Sequence, residues 1–357
     1  MKIEFQNWVK EIDSYGIAWL GLDCLHSSAN TINQDVLDEL NILVQKIGKD
    51  ESIKGMVIYS RKASGFIAGA DVHTFSQYHE PDQIRDFLRK GLTVFNRIEQ
   101  LTIPTVAMID GFCMGGGYEL ALACRYRIAS DRAETKMGLP EVLLGIHPGW
   151  GGTVRLPKLI GGFDALTKVM LTGKPLSAKA AKAIGMIDDA VPLRQLKRAV
   201  EYYIVEQPKA HQPNFLQNLT NQEWARKPIA YFLRKQITSK INVEHYPAPI
   251  SMLFLWEKYF GLGAKSYEKE TESVLNLVFQ HPSAENLIRA FLLKDRLKDF
   301  SKDSNFKAGH IHVIGAGVMG GDIAAWCALK GIKVTLQDQS YEQMAPAYAR
   351  AKALYQK

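Results

Sequence analysis

Four short apolar runs set the terms for what this chain can fold into. GIAWLGL at 16–22, GMVIYS at 55–60, PTVAMID at 104–110 and YRIAS at 126–130 are too short for buried helices and are bounded by Gly, Pro or polar residues, so each reads as a strand. Between them, Val36, Leu40, Leu43, Val44 and Ile47 keep helical spacing, as do Ile84, Phe87, Leu88, Gly91, Phe95 and Ile98. Strand, helix, strand repetition of this kind predicts an α/β layer architecture with largely parallel strands. From about 193 to 300 the strand signal fades, and EWARKPIAYFLRKQI, APISMLFLWEKYF and AENLIRAFLLKDRL carry apolar residues at helical spacing. The polar stretch SKDSNFKA at 301–308 has linker composition, and a new strand, HIHVIGAG, follows it directly.

A length of 357 residues, 46% hydrophobic and 23% charged, fits two domains, or two and part of a third, and excludes collagen-like, disordered and coiled-coil classes. Cys24, Cys113, Cys124 and Cys327 form no CxxC pair, so neither a zinc site nor a disulfide scaffold is expected, and no metal is predicted. Met1–Lys10 carries Glu4 and no unbroken apolar run, which argues against a signal peptide. No stretch of about 18 residues is apolar enough to span a bilayer. A cytoplasmic location is the expectation. The net charge of +7 is not spread evenly: residues 1–192 are nearly balanced and the basic excess falls after them. That excess is interspersed with acids, as in EKYFGLGAKSYEKETES, so it reads as a solvated helical surface and no nucleic-acid partner is expected.

The most informative stretch runs from 104 to 152. After the strand at 104–110, Gly115, Gly116 and Gly117 open a helix expected to begin near Tyr118. Glycine lets backbone N–H groups approach a ligand with no Cβ in the way, and a helix amino terminus adds positive partial charge. Glu119 projects from the same end, and Glu141 follows a second turn, GLPE. Upstream, SGFIAGAD at 64–71 also leaves a strand and is a second candidate donor loop. Two N–H groups converging from different strands would make an oxyanion hole. Each piece alone is more often a tight turn or a dipole partner than a catalytic device, and the pieces do not by themselves name a reaction.

IAGADV at 67–72, IDGFCMGGGYELALACRYRIAS at 109–130 and GLPEVLLGIHPGWGGTVRLPKLIG at 138–161 resemble the enoyl-CoA hydratase/isomerase (crotonase) family. The resemblance implies a crotonase-like β-β-α spiral that binds acyl-CoA thioesters and stabilises their enolates. It places the backbone N–H groups of Ala70 and Gly116 in the oxyanion hole and makes Glu119 and Glu141 the two catalytic carboxylates. Glu119 then serves chiefly the water added at C3 and Glu141 chiefly the proton at C2, with the two titrations coupled. Ala29, Ala68 and Asp71 match substrate-binding positions, Ala29 and Asn30 standing in the early CoA-binding loop. No cofactor is implied for hydration. The presence of both glutamates favours hydratase and leaves isomerase activity on the same site open. The segment between them, SDRAETKMGLPE, is slightly longer than the family's, which suggests a surface loop and a possible displacement of Glu141.

Residues 315–320, GAGVMG, fit G-x-G-x-x-G through Gly315, Gly317 and Gly320, with a strand before, a helix after, and Asp338 ending the next strand. That acid favours NAD over NADP. The whole arrangement resembles fatty-acid oxidation α subunits, in which a crotonase domain, a helical linker and a 3-hydroxyacyl-CoA dehydrogenase share one chain. YPAPI at 246–250 and RAFLLKDRL at 289–297 fit that linker. By the same resemblance Met319 and Asp338 match dinucleotide contacts, Asp295 matches a substrate-contacting acid, and a thiolase subunit and a homo-oligomer are implied as partners.

The domains read as 1–190 crotonase, 191–306 helical linker and 307–357 the start of an NAD-binding domain, a truncated Rossmann β-α-β unit. The fragment is too small to bury a whole Rossmann core. His310 and His312 alternate on the first strand of that unit, share a face and read as structural. Oxidation of 3-hydroxyacyl-CoA is therefore not expected. Two other readings stand beside the hydratase: an NAD-binding oxidoreductase and a non-catalytic interaction protein.

Overall fold

The computed structural model describes residues 5–25, 27–72, 78, 80–300 and 306–356, and it divides into two compact units, 1–292 and 293–357. In the first unit a six-stranded sheet runs in the order β1-β2-β3-β5-β7-β10: β1 (Trp8–Ile12), β2 (Ile17–Leu22), β3 (Gly55–Ser60), β5 (Thr105–Ile109), β7 (Tyr126–Ser130) and β10 (Asp189–Val191). Only the β1–β2 pair is antiparallel; the others are parallel. The four strands expected from the sequence are β2, β3, β5 and β7, at the centre of this sheet.

A second, smaller sheet escapes the sequence pattern. It has the order β4 (Gly65–Ile67), β6 (Phe112–Met114), β8 (Lys136–Gly138) and β9 (Leu176–Ser177). Three successive large-sheet strands are each followed by a small-sheet strand and then a helix: β3, β4 and Pro81–Glu99; β5, β6 and Gly116–Ala123; β7, β8 and the 3₁₀ turn Glu141–Leu144. This is the β-β-α spiral. Between the glutamates, residues 131–134 are exposed and lead into β8.

Both faces of the large sheet are covered, which explains why its central strands read as unbroken apolar runs. Ala18, Leu20 and Leu22 of β2 point into the main core with Leu37, Leu40 and Val44 of the Gln34–Ile47 helix. Ile17 and Trp19 point the other way, with Val57, Val106 and Ile128, against Leu196, Val200 and Ile204 of the Leu193–Glu206 helix. From 193 to 299 the chain forms helices, as the spacing predicts: Glu223–Thr238, Ala248–Tyr259, Ala264–Phe279 and Pro282–Asp299 follow Leu193–Glu206 as the longer ones.

In the second unit β11 (His310–Ile314) pairs in parallel with β12 (Lys333–Gln337), joined through the Val318–Leu329 helix and followed by the Tyr341–Tyr355 helix. His310 and His312 lie on one exposed face, both within hydrogen-bonding distance of the Thr335 hydroxyl. All four cysteines are unpaired.

Candidate active site

The helix that carries Glu119 starts at Gly116, two residues earlier than the sequence suggests, because Gly115 (φ +51°) turns the chain directly out of β6. Its first turn is crowded. A Cβ on Gly116 would lie 2.3 Å from the Trp150 ring and 3.4 Å from the Ala70 nitrogen, and one on Gly117 would meet Ile67 Cβ at 2.6 Å. Glycine is required here so that the two donor loops can touch.

The loop after β4 is set against Ile32. Ile32 N–H donates to Gly69 O at 2.8 Å and Asp71 N–H to Ile32 O at 3.0 Å, so the intervening Ala70 N–H points away from that bridge. Among the described residues, neither the Ala70 nor the Gly116 N–H has a hydrogen-bond acceptor in the protein. Two neighbouring backbone donors without acceptors, one at a helix amino terminus, form a ready site for a developing oxyanion.

A cavity of about 110 Å³ opens beside them, lined by Ala68, Ala70, Gly116, Glu119, Glu141 and Trp150 among others. Glu119 is only 2% exposed, and its Oε1 accepts the N–H groups of Trp150 (2.8 Å) and Gly152 (2.7 Å). Burial raises its pKa to about 7, against the pull of those hydrogen bonds and of Arg155. Glu141 stands on the 3₁₀ turn, held in place by the Tyr246 hydroxyl, which donates to Val142 O. Burial, with the charges of Glu119 and Glu270 added, pushes the Glu141 carboxyl well above the ordinary carboxylate range. Its Oε2 is buried with no hydrogen-bond partner among the described residues. One side therefore offers an acid near neutrality with its orientation fixed, and the other a carboxyl that keeps its proton.

The other expected residues separate. Ala68 lines the cavity, while Ala29 and Asp71 are half-buried outside its lining. Asn30 beside Ala29 is a structural pin: its amide donates to Leu22 O and Ser60 Oγ, and its Oδ1 accepts the Cys24 N–H. Asp295 lies in the second unit, paired with Lys298 at 2.8 Å.

Several cavity residues lie outside what the sequence signals. Trp150 packs edge-on to Phe87 and Phe95 and forms a wall. Val274 and Ile288, from the helical region after 190, complete the lining. His147 also lines it but is kept neutral, its pKa lowered to about 4 by burial, with Nδ1 facing Pro148 O and Nε2 facing Ser273 Oγ.

In the second unit the nucleotide loop is open. A Cβ on Gly315 (φ +95°) or Gly317 would meet nothing within 4 Å, whereas one on Gly320 would meet Gly315 O at 1.9 Å. The first two glycines thus leave room for a ligand, and the third allows the strand and helix to pack closely. Met319 is exposed, and Asp338 accepts the N–H groups of Ala316 and Gln339, which hold its pKa low. These residues fit a dinucleotide.

The Enoyl-CoA hydratase/isomerase family model matches residues 17–244. The chain belongs to this family. The NAD-binding domain of 3-hydroxyacyl-CoA dehydrogenase matches residues 310–357. Fatty acid oxidation complex subunit alpha from Aliivibrio fischeri is 36% identical over 96% of this chain and 50% of its own length. The same subunit from Shewanella halifaxensis is 37% identical over 96% of this chain and 49% of its own. The chain thus spans about half the length of the curated relatives it matches. Among solved structures, enoyl-CoA hydratase from Bacillus anthracis matches with a TM-score of 0.53 and 27% identity, over 75% of this chain and 98% of that one. A putative enoyl-CoA hydratase from Streptomyces avermitilis, at 20% identity and a TM-score of 0.59 over 84% of this chain and 96% of its own, shares the fold.

Proposed function

We propose that the first unit is an enoyl-CoA hydratase of fatty-acid β-oxidation, adding water across the double bond of trans-2-enoyl-CoA. The observation that carries this reading is the pairing of two buried carboxyls, Glu119 and Glu141, on one cavity with the unpaired N–H groups of Ala70 and Gly116. The thioester oxygen sits between those two N–H groups, which stabilise the enolate as charge builds on it. Glu119, ionised above about pH 7 and oriented by Trp150 and Gly152, takes a proton from the water attacking C3. Glu141, protonated and with its Oε2 unpartnered among the described residues, delivers the proton to C2. The apolar walls from Trp150, Val274 and Ile288 suit an acyl chain and exclude competing solvent.

Isomerisation of a 3-enoyl-CoA uses the same enolate and one carboxyl, so it is the second reading on the same site. Loss of conjugated-thioester absorbance from 2-enoyl-CoA at several chain lengths, beside its appearance from 3-enoyl-CoA, separates the two. A hydratase consumes the first substrate, and an isomerase alone only generates conjugation from the second.

For the second unit the reading is NAD binding, with Gly315, Gly317 and Gly320 at the pyrophosphate, Met319 beside the nucleotide and Asp338 on the ribose 2′-hydroxyl. NAD, when bound, supplies a hydride acceptor. Calorimetry with NAD tests it. The relatives' name makes them subunits of a complex; for this chain an acyl-CoA-processing partner such as a thiolase, and association between copies, belong to the proposal. No helix among the described residues is long and apolar enough to cross a membrane.

A further inference from the structure

A third buried carboxyl lies behind the site. Glu270, on the Ala264–Phe279 helix, is 0% exposed and does not line the cavity. Its Oε1 accepts the Gly151 N–H at 2.5 Å, and its Oε2 accepts the Thr153 N–H at 3.0 Å and the Thr153 hydroxyl. Glu119 takes the N–H groups of Trp150 and Gly152. Four successive peptide N–H groups therefore donate alternately to two glutamates on opposite sides of one turn. Gly151 (φ +96°) sets the alternation, and the turn opens the Gly152–Ile160 helix, whose first N–H groups need acceptors outside the helix. Arg155 pins the turn from a third side, donating to Trp150 O, Asn96 Oδ1 and Glu99.

The hydrogen bonds to the Glu119 carboxylate come from Trp150 and Gly152 of this turn, with Gly149 just before it, and Glu270 holds the turn's other two donors. We propose that Glu270 is a positioning residue for the reaction: by fixing Gly151 and Thr153 it aims the Trp150 and Gly152 N–H groups that orient Glu119. The inference rests on the hydratase reading of the site. The titratable and charged groups around Glu270 are Glu119, Glu141, Arg155 and Tyr267.

The test compares Glu270→Ala with Glu270→Gln in the full chain. Alanine removes both acceptors. Glutamine keeps one oxygen for Gly151 but presents an amide donor to the Thr153 N–H, so it restores part of the hold. Both lack the charge, so the difference between them isolates positioning. The expected kcat order is wild type, then Glu270→Gln, then Glu270→Ala, the last down by about 10²-fold with KM little changed, because Glu270 touches no substrate. Independently of activity, difference infrared of the Glu119 carboxyl, assigned with Glu119→Gln, is expected to place its titration midpoint about one pH unit higher in Glu270→Ala than in Glu270→Gln, since misaimed donors no longer favour the charged form.

Equal midpoints and equal kcat in folded variants overturn the proposal. If Glu270→Ala does not fold, Glu270→Gln, which loses the acceptor for the Thr153 N–H, is compared with wild type, and a kcat and a Glu119 midpoint both identical to wild type overturn it instead. A wild-type chain that fails to hydrate 2-enoyl-CoA refutes the hydratase reading, while the infrared comparison still decides whether Glu270 positions Glu119.

Discussion

Glu119 Oε1 accepts the Gly152 N–H at 2.7 Å, so the orientation of an acid on one helix is set by the first residue of another. The Trp150 N–H reaches the same oxygen. A glutamine at 119 can present its carbonyl oxygen to both donors. Glu119→Gln is therefore expected to keep its thermal midpoint near wild type while hydration falls by about 10²- to 10⁴-fold, the usual worth of a positioned acid or base. Parallel melting curves and initial rates check it. A variant that unfolds would make Glu119 chiefly structural.

The pH dependence of kcat/KM follows from the two acids. Glu119 must be ionised to accept a proton, and its pKa is raised to about 7, so the rate should climb with pH up to about 7. Glu141 must be protonated, and burial holds its carboxyl well above the ordinary carboxylate range, so the fall on the alkaline side belongs to the loss of its proton. The two limbs describe the coupled pair rather than single residues. A profile that climbs with a midpoint in the ordinary carboxylate range would contradict the burial argument.

Gly116 has no room for a side chain, with the Trp150 ring 2.3 Å from where its Cβ would stand. Gly116→Ala must push either the indole or the peptide whose N–H we propose for the oxyanion. The expected cost is about 10²- to 10³-fold in kcat, the scale of one lost oxyanion donor, together with a lower melting temperature. Pairing it with Trp150→Phe, which leaves more space, should return part of the stability.

Glu141 also carries a stability cost with a definite sign. An unfolded glutamate ionises near 4.5, and the folded one well above it, so the folded state retains a proton that the unfolded chain has released. The stability this group contributes is complete below about 4.5 and is lost as pH rises toward the folded pKa. Glu141→Gln is neutral throughout. Its melting temperature should exceed wild type at about pH 8 and converge with it at about pH 5, measured by calorimetry at both.

How far the sequence speaks depends on segment length and on which face a residue occupies. β2, β3, β5 and β7 are five or six residues long and mostly apolar, Arg127 of β7 being the charged exception, so their runs stand out. β4, β6 and β8 have three residues each, too few for any period to register, and they are set by glycine turns such as Gly111 (φ +72°) and by pairing with each other. Glu119 and Glu141 are legible because glycine turns bracket them. Glu270 is hidden in KETES, read as a solvated helical surface, and the structure corrects that reading: Glu268 and Glu272 are exposed while Glu270 is buried. The available signal was its spacing, since Ser266, Glu270 and Val274 fall on one helical face and all three are buried.

The most direct measurement is the initial rate of 2-enoyl-CoA hydration by the wild-type chain and by the Glu119→Gln/Glu141→Gln double variant, with 3-hydroxyacyl-CoA identified as the product. Wild type should hydrate the substrate, and the folded double variant should fall by about 10⁴-fold or more, two acid/base roles having been removed. Hydration by the double variant at the wild-type rate, or none by the wild type, would contradict the two-carboxyl account.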